Sequence, residues 1–388
     1  MTKSEETMKL LHLGDIHLGK NVNEFSMIDD QRYILTKILE MVEENDIDAV
    51  MIAGDVYDRS VPSEEAVKLL DWFLTAVSRM GKSVFMISGN HDSDERLQFG
   101  RELLQAKGVH IAGRYDGVVE HMEMEDEFGP LHVWMLPYIK ASRVAHFFPE
   151  GDTSTYDAAF RTALAACDVN EKERNVILVH QFVTGKSEEP VLAGSESTMV
   201  SVGTVEKISS DCFDKFDYVA MGHIHGCQSV GRETCRYAGS PLKYSLNQRE
   251  IESKKTVPII TLEEKGNVKV ELVPLIPKRE LRPLRGQLKD LLANAVDTED
   301  YIYATLTDED VQFEAMARLQ EIYPNIMKLD YDNVATRAIQ EENELSDTEG
   351  KTFDELISDF YEWMNGRKPS DEEWEILLEV AKEARVTV

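Results

Sequence analysis

Five short stretches combine carboxylates, imidazoles and glycine in patterns suited to holding metal: Gly14-Asp15-Ile16-His17, Gly54-Asp55-Val56-Tyr57-Asp58, Gly89-Asn90-His91-Asp92, Val179-His180 and Gly222-His223-Ile224-His225. Carboxylate and imidazole are ligands for first-row divalent metals, and one carboxylate can bridge two ions. In Asp15-x-His17 and His223-x-His225 the two side chains lie two residues apart, so on an extended strand end they project to the same side. The glycines let the backbone come close where metal and phosphate crowd a loop. Two divalent ions about 3.5–4 Å apart clamp a phosphodiester, generate hydroxide and stabilise the leaving oxygen. Singly, each stretch has a plainer reading: Gly-Asp is an ordinary turn, Asn-His-Asp is a loop or helix cap, and a lone His-x-His makes local hydrogen bonds. All five together, in order on strand ends of one domain, point to a two-metal phosphoesterase.

The elements that must position these residues are legible around them. Met8–Asp15 is short and apolar and reads as a buried strand. Ser26–Glu43 carries Ile34, Ile38, Met41 and Val42 at helical spacing. Asp48–Asp55 is a second strand, Ser63–Arg79 a second amphipathic helix, and Lys82–Asp92 a third strand running into a polar loop. Strand, helix, strand, helix, strand predicts an α/β sandwich core. Further strands are expected at Leu131–Tyr138, Asn175–Gln181, Tyr218–His223, Arg236–Ala238, Val257–Leu262 and Val268–Pro274. Each of the five stretches falls at the C-terminal end of such a strand, the edge where open α/β sheets bind ligands.

Pro274, Pro277 and Pro283 punctuate the chain after the last of these strands and predict a domain boundary. Residues 1–277 are expected to form the first domain. Residues 278–335 read as a small α+β domain: helix Leu288–Ala295, strand Tyr301–Leu306, helix Asp310–Tyr323, strand Ile326–Tyr331. Residues 336–388 differ again, with 15 acidic against 6 basic residues. There Gln340–Lys351 has no apolar periodicity and reads as a linker. Two helices follow, one with the stripe Phe353, Leu356, Ile357, Phe360 and Met364, the other with Trp374, Leu377, Leu378 and Ala381. Asn365-Gly366 would stop the first, and Ser370 with Glu373 would form a capping box opening the second. The stripes either pair with each other or dock on a partner.

At 388 residues the chain exceeds what one core usually organises. No apolar run reaches the roughly 18 residues of a membrane span, and the N-terminus lacks the apolar stretch of a signal peptide. Four cysteines without a CxxC pair read as reduced thiols, so a cytoplasmic protein is expected. A net charge of −30 argues against indiscriminate wrapping of nucleic acid. It leaves room for a DNA substrate met by bound metal and a local basic patch.

The motif set D-x-H, G-D-x-x-D, G-N-H-D, H and G-H-x-H resembles the calcineurin-like metallophosphoesterase superfamily. Within it, Leu11–Gly19, Ala53–Arg59, Ile87–Ser93 and Gly239–Tyr244 most resemble the SbcD family of bacterial nuclease subunits, partnered by the SMC-like ATPase SbcC. The resemblance is specific over residues 8–275 and rests on layout beyond 280. It implies a metallophosphoesterase β-sandwich flanked by helices, a small α+β capping domain and C-terminal helices. It also implies two divalent ions, usually Mn2+. One would be held by Asp15, His17, Asp55 and His225, the other by Asp55, Asn90, His180 and His223, with Asp55 bridging. His91 would protonate the leaving group or stabilise the transition state. Asp92 would either orient that imidazole or cap its loop. Some relatives carry a histidine three residues after the bridging Asp; here Asp58 stands there, and either positions Arg59 or His91 or caps the turn.

Lys20, Arg59, Arg96 and Lys243 lie near the motif loops and are candidates to meet phosphates, while His12, His110, His121, His132 and His146 read as packing or surface residues. The function implied is that of a DNA exonuclease and endonuclease acting on ends and hairpins, as a homodimer within a heterotetramer with its ATPase. ATP hydrolysis would belong to the partner, since this chain has no GxxxxGK[ST] loop. A two-metal phosphodiesterase or phosphatase for a small or protein substrate shares the same ligands and is the alternative. The long extension after Pro277 weighs against it.

Overall fold

The computed structural model describes residues 7–186, 189–194, 207–310, 312–334, 336–337 and a few short pieces between 357 and 377. Contacts divide the chain into two units: residues 1–283 with 298–303 and 323–328, and residues 284–297, 304–322 and 329–388.

The first unit is built on two six-stranded sheets. In chain order, β1 (Met8–Leu13), β2 (Ala49–Ala53), β3 (Ser83–Ile87) and β4 (Val109–Ala112) belong to one sheet. The second holds β5 (Glu120–Asp126), β6 (Gly129–Leu136), β7 (Arg174–His180), β8 (Tyr218–Gly222), β9 (Gln228–Val230) and β10 (Arg232–Tyr237). The chain then returns to the first sheet as β11 (Thr256–Leu262) and β12 (Val268–Pro274). The orders are β12-β11-β1-β2-β3-β4 and β9-β10-β8-β7-β6-β5. In each sheet four consecutive strands run parallel, β1 to β4 and β6-β7-β8-β10, and antiparallel strands finish the edges.

The side-chain alternation of a strand decides which face is which. Leu10, Met51, Phe85 and Ile87 of the first sheet meet Val133, Val176, Leu178 and Ala220 of the second in one inter-sheet core. Leu11, Leu13, Val50, Ile52, Val84 and Met86 point the other way, into a core with the helices. There α1 (Ile28–Glu44) buries Ile34, Leu35, Ile38, Leu39 and Val42, and α2 (Glu64–Arg79) buries Leu69, Leu70, Phe73 and Val77. Each fully buried side chain of this kind contributes about 1.5–3 kcal/mol. The Ser63 hydroxyl accepts from the Ala66 amide at 3.2 Å and fixes where α2 begins. His12 faces inward between the sheets with Nδ1 3.0 Å from the Tyr218 hydroxyl, a packing role.

The helix expected over Asp310–Tyr323 is shorter, Ala315–Gln320, because Glu314 at its start takes a left-handed φ of 51°. Strands Leu281–Gly286, Tyr301–Leu306 and Ile326–Tyr331 form a three-stranded sheet. Within the second unit, Asp308 accepts from the Leu288 amide at 2.8 Å and starts helix Leu288–Ala293. The expected capping box is present: the Glu373 amide donates to Ser370 Oγ at 3.3 Å, and the Ser370 amide to Glu373 Oε2 at 2.8 Å. The linker Gln340–Lys351, and Phe353, Leu356, Phe360, Met364, Asn365-Gly366, Leu378 and Ala381 of the two stripes, lie outside the described residues. No helix among the described residues is long and apolar enough to cross a membrane.

Candidate metal centre

Two glycine-aspartate loops leave β1 and β2 side by side and are laced together by their backbones. The Asp15 amide donates to the Gly54 carbonyl at 3.1 Å, His17 to Asp55 at 2.9 Å and Leu18 to Val56 at 2.8 Å. Asp15, His17 and Asp55 all sit at positive φ (51°, 48° and 47°), and His223 at 105°. Such backbone is unfavourable for a side-chain-bearing residue and persists only where the surroundings impose it. At Gly54, Gly89 and Gly222 an added Cβ would collide with His180, Asp55 and the Ala53 carbonyl respectively, so only glycine admits this approach.

All seven candidate ligands converge. His17 Nε2 lies 3.6 Å and His180 Nε2 3.5 Å from Asp55 Oδ2. His17 Nε2 and His225 Nε2 face each other at 3.1 Å. Asn90 Oδ1 is 3.0 Å from His180 Nε2 and 3.1 Å from His223 Nδ1. Asp15 groups with His17 and His225, and with Asp55 and His180, at distances a metal ion could span. The Asp15 carboxylate also accepts from the His223 amide at 2.9 and 3.1 Å, tying the two sheets. Asp15, His17, Asp55, His180, His223 and His225 are all buried.

The electrostatics prepare these groups as ligands. Burial pushes His17 down to about 4 despite Asp55. Burial and the neighbouring His180 push His223 down to about 3. Burial, with His17 and Lys255 nearby, holds His225 well below its ordinary value. Each shift favours the neutral imidazole, the form that binds metal. Burial alone would raise Asp55, but His180 and then His17 outweigh it and hold the carboxyl well below its usual range. His180 is the exception: burial would lower it, but Asp55 and Asp15 lift it to about 9. Lone pairs aimed at one another across 3.0–3.1 Å need a proton or a cation between them. The donor chemistry thus fits divalent metal.

His91 lies beside the ligands, close enough to His17 and Asp58 to share an ion with them, but is more open to solvent. Its side chain is 27% exposed, against 3% for Asp55. Nδ1 pairs with the Asp58 carbonyl at 2.9 Å, which leaves Nε2 facing the site, 4.0 Å from Asp55 Oδ2. Asp92 does not orient this ring. Its carboxylate accepts instead from the amides of Val56 (3.1 Å), Tyr57 (2.9 Å) and Gly89 (2.9 Å), so it clamps the two ligand loops together. Burial and the neighbouring Asp55 push it up to about 6, against the pull of those three amides. The Asp58 carboxylate accepts from Lys20 Nζ at 2.7 Å and lies 3.6 Å from His17 Nδ1 and from Arg59 Nε.

Of the four candidate phosphate contacts, Arg59 is 79% exposed beside Asp58, and Arg96 is exposed on the short helix Asp94–Leu97. Lys20 is engaged by Asp58. Lys243 is not presented to the site: its ammonium donates to the Ile251 carbonyl at 2.6 Å and to Glu280 at 2.8 Å.

Sequence reasoning passed over the residues that hold the ligand loops. Gln31 is fully buried; its Nε2 donates to the His17 carbonyl at 2.7 Å and its Oε1 accepts from the Gly19 amide at 3.0 Å. The Tyr244 hydroxyl donates to the Ile16 carbonyl. Lys255, buried against Glu250 at 2.8 Å, donates to the His225 carbonyl at 3.1 Å. A polar residue amid the apolar positions of α1 was the available signal for Gln31.

A carboxylate shared between imidazole clusters at the seam of two sheets is a phosphoesterase arrangement, and the model of the calcineurin-like phosphoesterases matches residues 8–227. The chain belongs to that family. The D subunit of nuclease SbcCD from Staphylococcus epidermidis is 30% identical over 332 residues, covering 83% of this chain and 85% of that one, which places the chain among the SbcD nucleases. The model of the type 5 capsule protein repressor C-terminal domain matches residues 277–365. Among solved structures, a Thermus thermophilus protein gives a TM-score of 0.40 at 11% identity, over 69% of this chain and 99% of that one. A dimetal phosphatase from Danio rerio gives 0.39 at 12% identity, over 70% and 99%.

Proposed function

We propose that the chain is the metal-dependent nuclease component of a DNA-processing complex, cutting phosphodiester bonds at DNA ends and hairpins with an SbcC-like SMC ATPase. The observation that carries this reading is Asp55 Oδ2 lying within 3.6 Å of imidazoles from both sheets, in a chain that matches an SbcCD nuclease component over most of its length. Asp15, His17, Asp55 and His225 would hold one ion, and Asp55, Asn90, His180 and His223 the other, with Mn2+ the metal proposed. When bound, the ions supply a hydroxide nucleophile and neutralise charge on the phosphate. His91 Nε2, kept facing the site by the Asp58 carbonyl, holds the proton that the leaving oxygen takes up. Asp92 keeps the Asp55 and Asn90 loops in register from behind.

Residues 1–277 would form the nuclease domain, 278–335 a capping domain and 336–388 the acidic segment that docks on the ATPase. A homodimer of this chain within a heterotetramer is the assembly proposed. The test is Mn2+-dependent cleavage of hairpin DNA with and without the ATPase, alongside hydrolysis of bis(p-nitrophenyl) phosphate. Cleavage of both supports the reading. Hydrolysis of the small ester with no cleavage of DNA, even with the partner present, would favour a phosphodiesterase for a small substrate.

A further inference from the structure

A cavity of about 450 Å³ adjoins the metal centre and shares a wall with it. Asn90 and Asp92 are among its lining residues, as are Arg114, Lys140, Arg143 and His146. Its acidic members are Asp92 and Asp94, both acceptors of backbone amides. Asp92 spends its carboxylate on three backbone amides, and Asp94 Oδ1 accepts from the Glu95 amide at 2.9 Å. Arg114 is paired with Glu95. Lys140 and Arg143 are different. Arg143 is held by its stem side, Nε donating to the Tyr115 carbonyl at 3.0 Å and the guanidinium lying over the Phe147 ring at 5.2 Å. No carboxylate pairs with Arg143 or with the exposed Lys140 among the described residues. Two such cations, one of them pre-oriented, thus line the same cavity as Asn90.

An anion is what such a cavity lacks, and its position limits the anion's source. Asn90 belongs to both this cavity and the metal centre, so an occupant sits next to the bond being cut. A small phosphodiester has nothing to place there. A DNA strand has a next phosphate to offer, and a guanidinium fork with an ammonium suits phosphate oxygens. We propose that this cavity is a second phosphate subsite, in which Arg143 and Lys140 seat the phosphate of the nucleotide adjoining the scissile bond. The proposal rests on the DNA-nuclease reading above and adds to it how a strand is told from a small ester.

The test is steady-state cleavage of hairpin DNA by the full chain with its ATPase partner and Mn2+, between about 50 and 200 mM salt. Lys140→Ala loses one phosphate contact, so KM should rise about tenfold and the slope of log affinity against log salt should flatten by about 0.9. The loss should fall on KM rather than kcat. Arg143→Lys keeps the charge but not the fork, and should raise KM by a smaller factor. Arg143→Lys and Arg143→Ala both lose the Nε donor to the Tyr115 carbonyl, so the fold-neutral Lys140→Ala decides. If the wild type cuts DNA and both variants keep its KM and salt slope, the subsite is refuted and the nuclease reading stands. If the wild type cuts no DNA, both fall. Loss of ATPase co-purification with KM for DNA unchanged would make the cavity a protein-docking surface and also refute the proposal.

Discussion

The two sheets of the first unit serve one site by different means. The sheet that begins at Met8 supplies the carboxylates and the amide: Asp15, Asp55 and Asn90, with His17. Its loops are strained at Asp15, His17 and Asp55 and interlocked by backbone hydrogen bonds. The other sheet supplies only imidazoles: His180, the last residue of β7, and His223 and His225 just past β8. It needs less local strain, since only His223 takes a positive φ. Its ligands are aimed by atoms of the first sheet, His180 Nδ1 by the Ala53 carbonyl at 2.8 Å and the His223 amide by Asp15. Anionic charge thus sits on one layer and imidazoles on the other, His180 among them drawn to the carboxylates across the seam. Neither layer alone offers a charge-balanced pair of sites, so metal binding reports the packing of the sheets as much as the identity of the ligands.

The largest effect should come from removing the group both layers share. Asp55→Asn takes away the bridging anion and should lower turnover by about a thousandfold or more while cutting bound Mn2+ below one ion per chain, measured by metal analysis after gel filtration. Retention of two ions would detach the first layer's carboxylate from its assigned role. Next is His91→Asn, which leaves all seven ligands in place. Its kcat should fall by about 10²–10⁴-fold with metal content unchanged; a fully active variant would remove His91 from the proton-transfer step.

The support of the second layer can be broken separately. Lys255→Met removes the cation from the buried Glu250 carboxylate and one donor from the His225 carbonyl, and should destabilise the protein by about 3–5 kcal/mol in denaturant titration. A loss below about 1 kcal/mol would show that the pair does not hold the histidine loop.

The smallest effect is a proton. In the metal-free protein His180 titrates at about 9, above its ordinary value, so its proton stabilises the fold fully below pH of about 6.5 and that contribution fades as pH rises through about 9. A divalent ion must replace that proton. Calorimetry in buffers of different ionisation enthalpy should therefore register release of about one proton per chain near pH 7.5, and none above pH of about 10. No release at pH 7.5 would mean that Asp55 does not hold a charged imidazole across the seam.

Much of this was legible in the sequence because the ligands fall in short motifs at the ends of strongly apolar strands. β12 and strands Tyr301–Leu306 and Ile326–Tyr331 have the expected bounds; β1 and β8 differ only by the loop residues that carry the ligands, β2 and β3 by those and by one residue at the start, and β7 is shifted by one residue. What was not legible depends on long-range packing. β5, with the sequence Glu-His-Met-Glu-Met-Glu-Asp, is polar at alternate positions and is a strand because it pairs with β6 along its whole length. Asp92 acts on backbone amides 35 and 36 residues away, and Gln31 joins α1 to the Asp15–His17 loop and to Tyr244, 213 residues on. Lys140 and Arg143 precede and occupy a seven-residue helix with no strong periodicity, and their meaning appears only when that helix stands beside Asn90.

The central claim is that one carboxylate, Asp55, joins two metal ions, each held by residues of both sheets. Electron paramagnetic resonance during titration of the metal-free chain with Mn2+ tests it most directly. The prediction is saturation at two Mn2+ per chain with the multiline spectrum of an exchange-coupled pair, lost in Asp55→Asn. Saturation at one ion, or two ions giving only the six-line signal of isolated Mn2+, would contradict it.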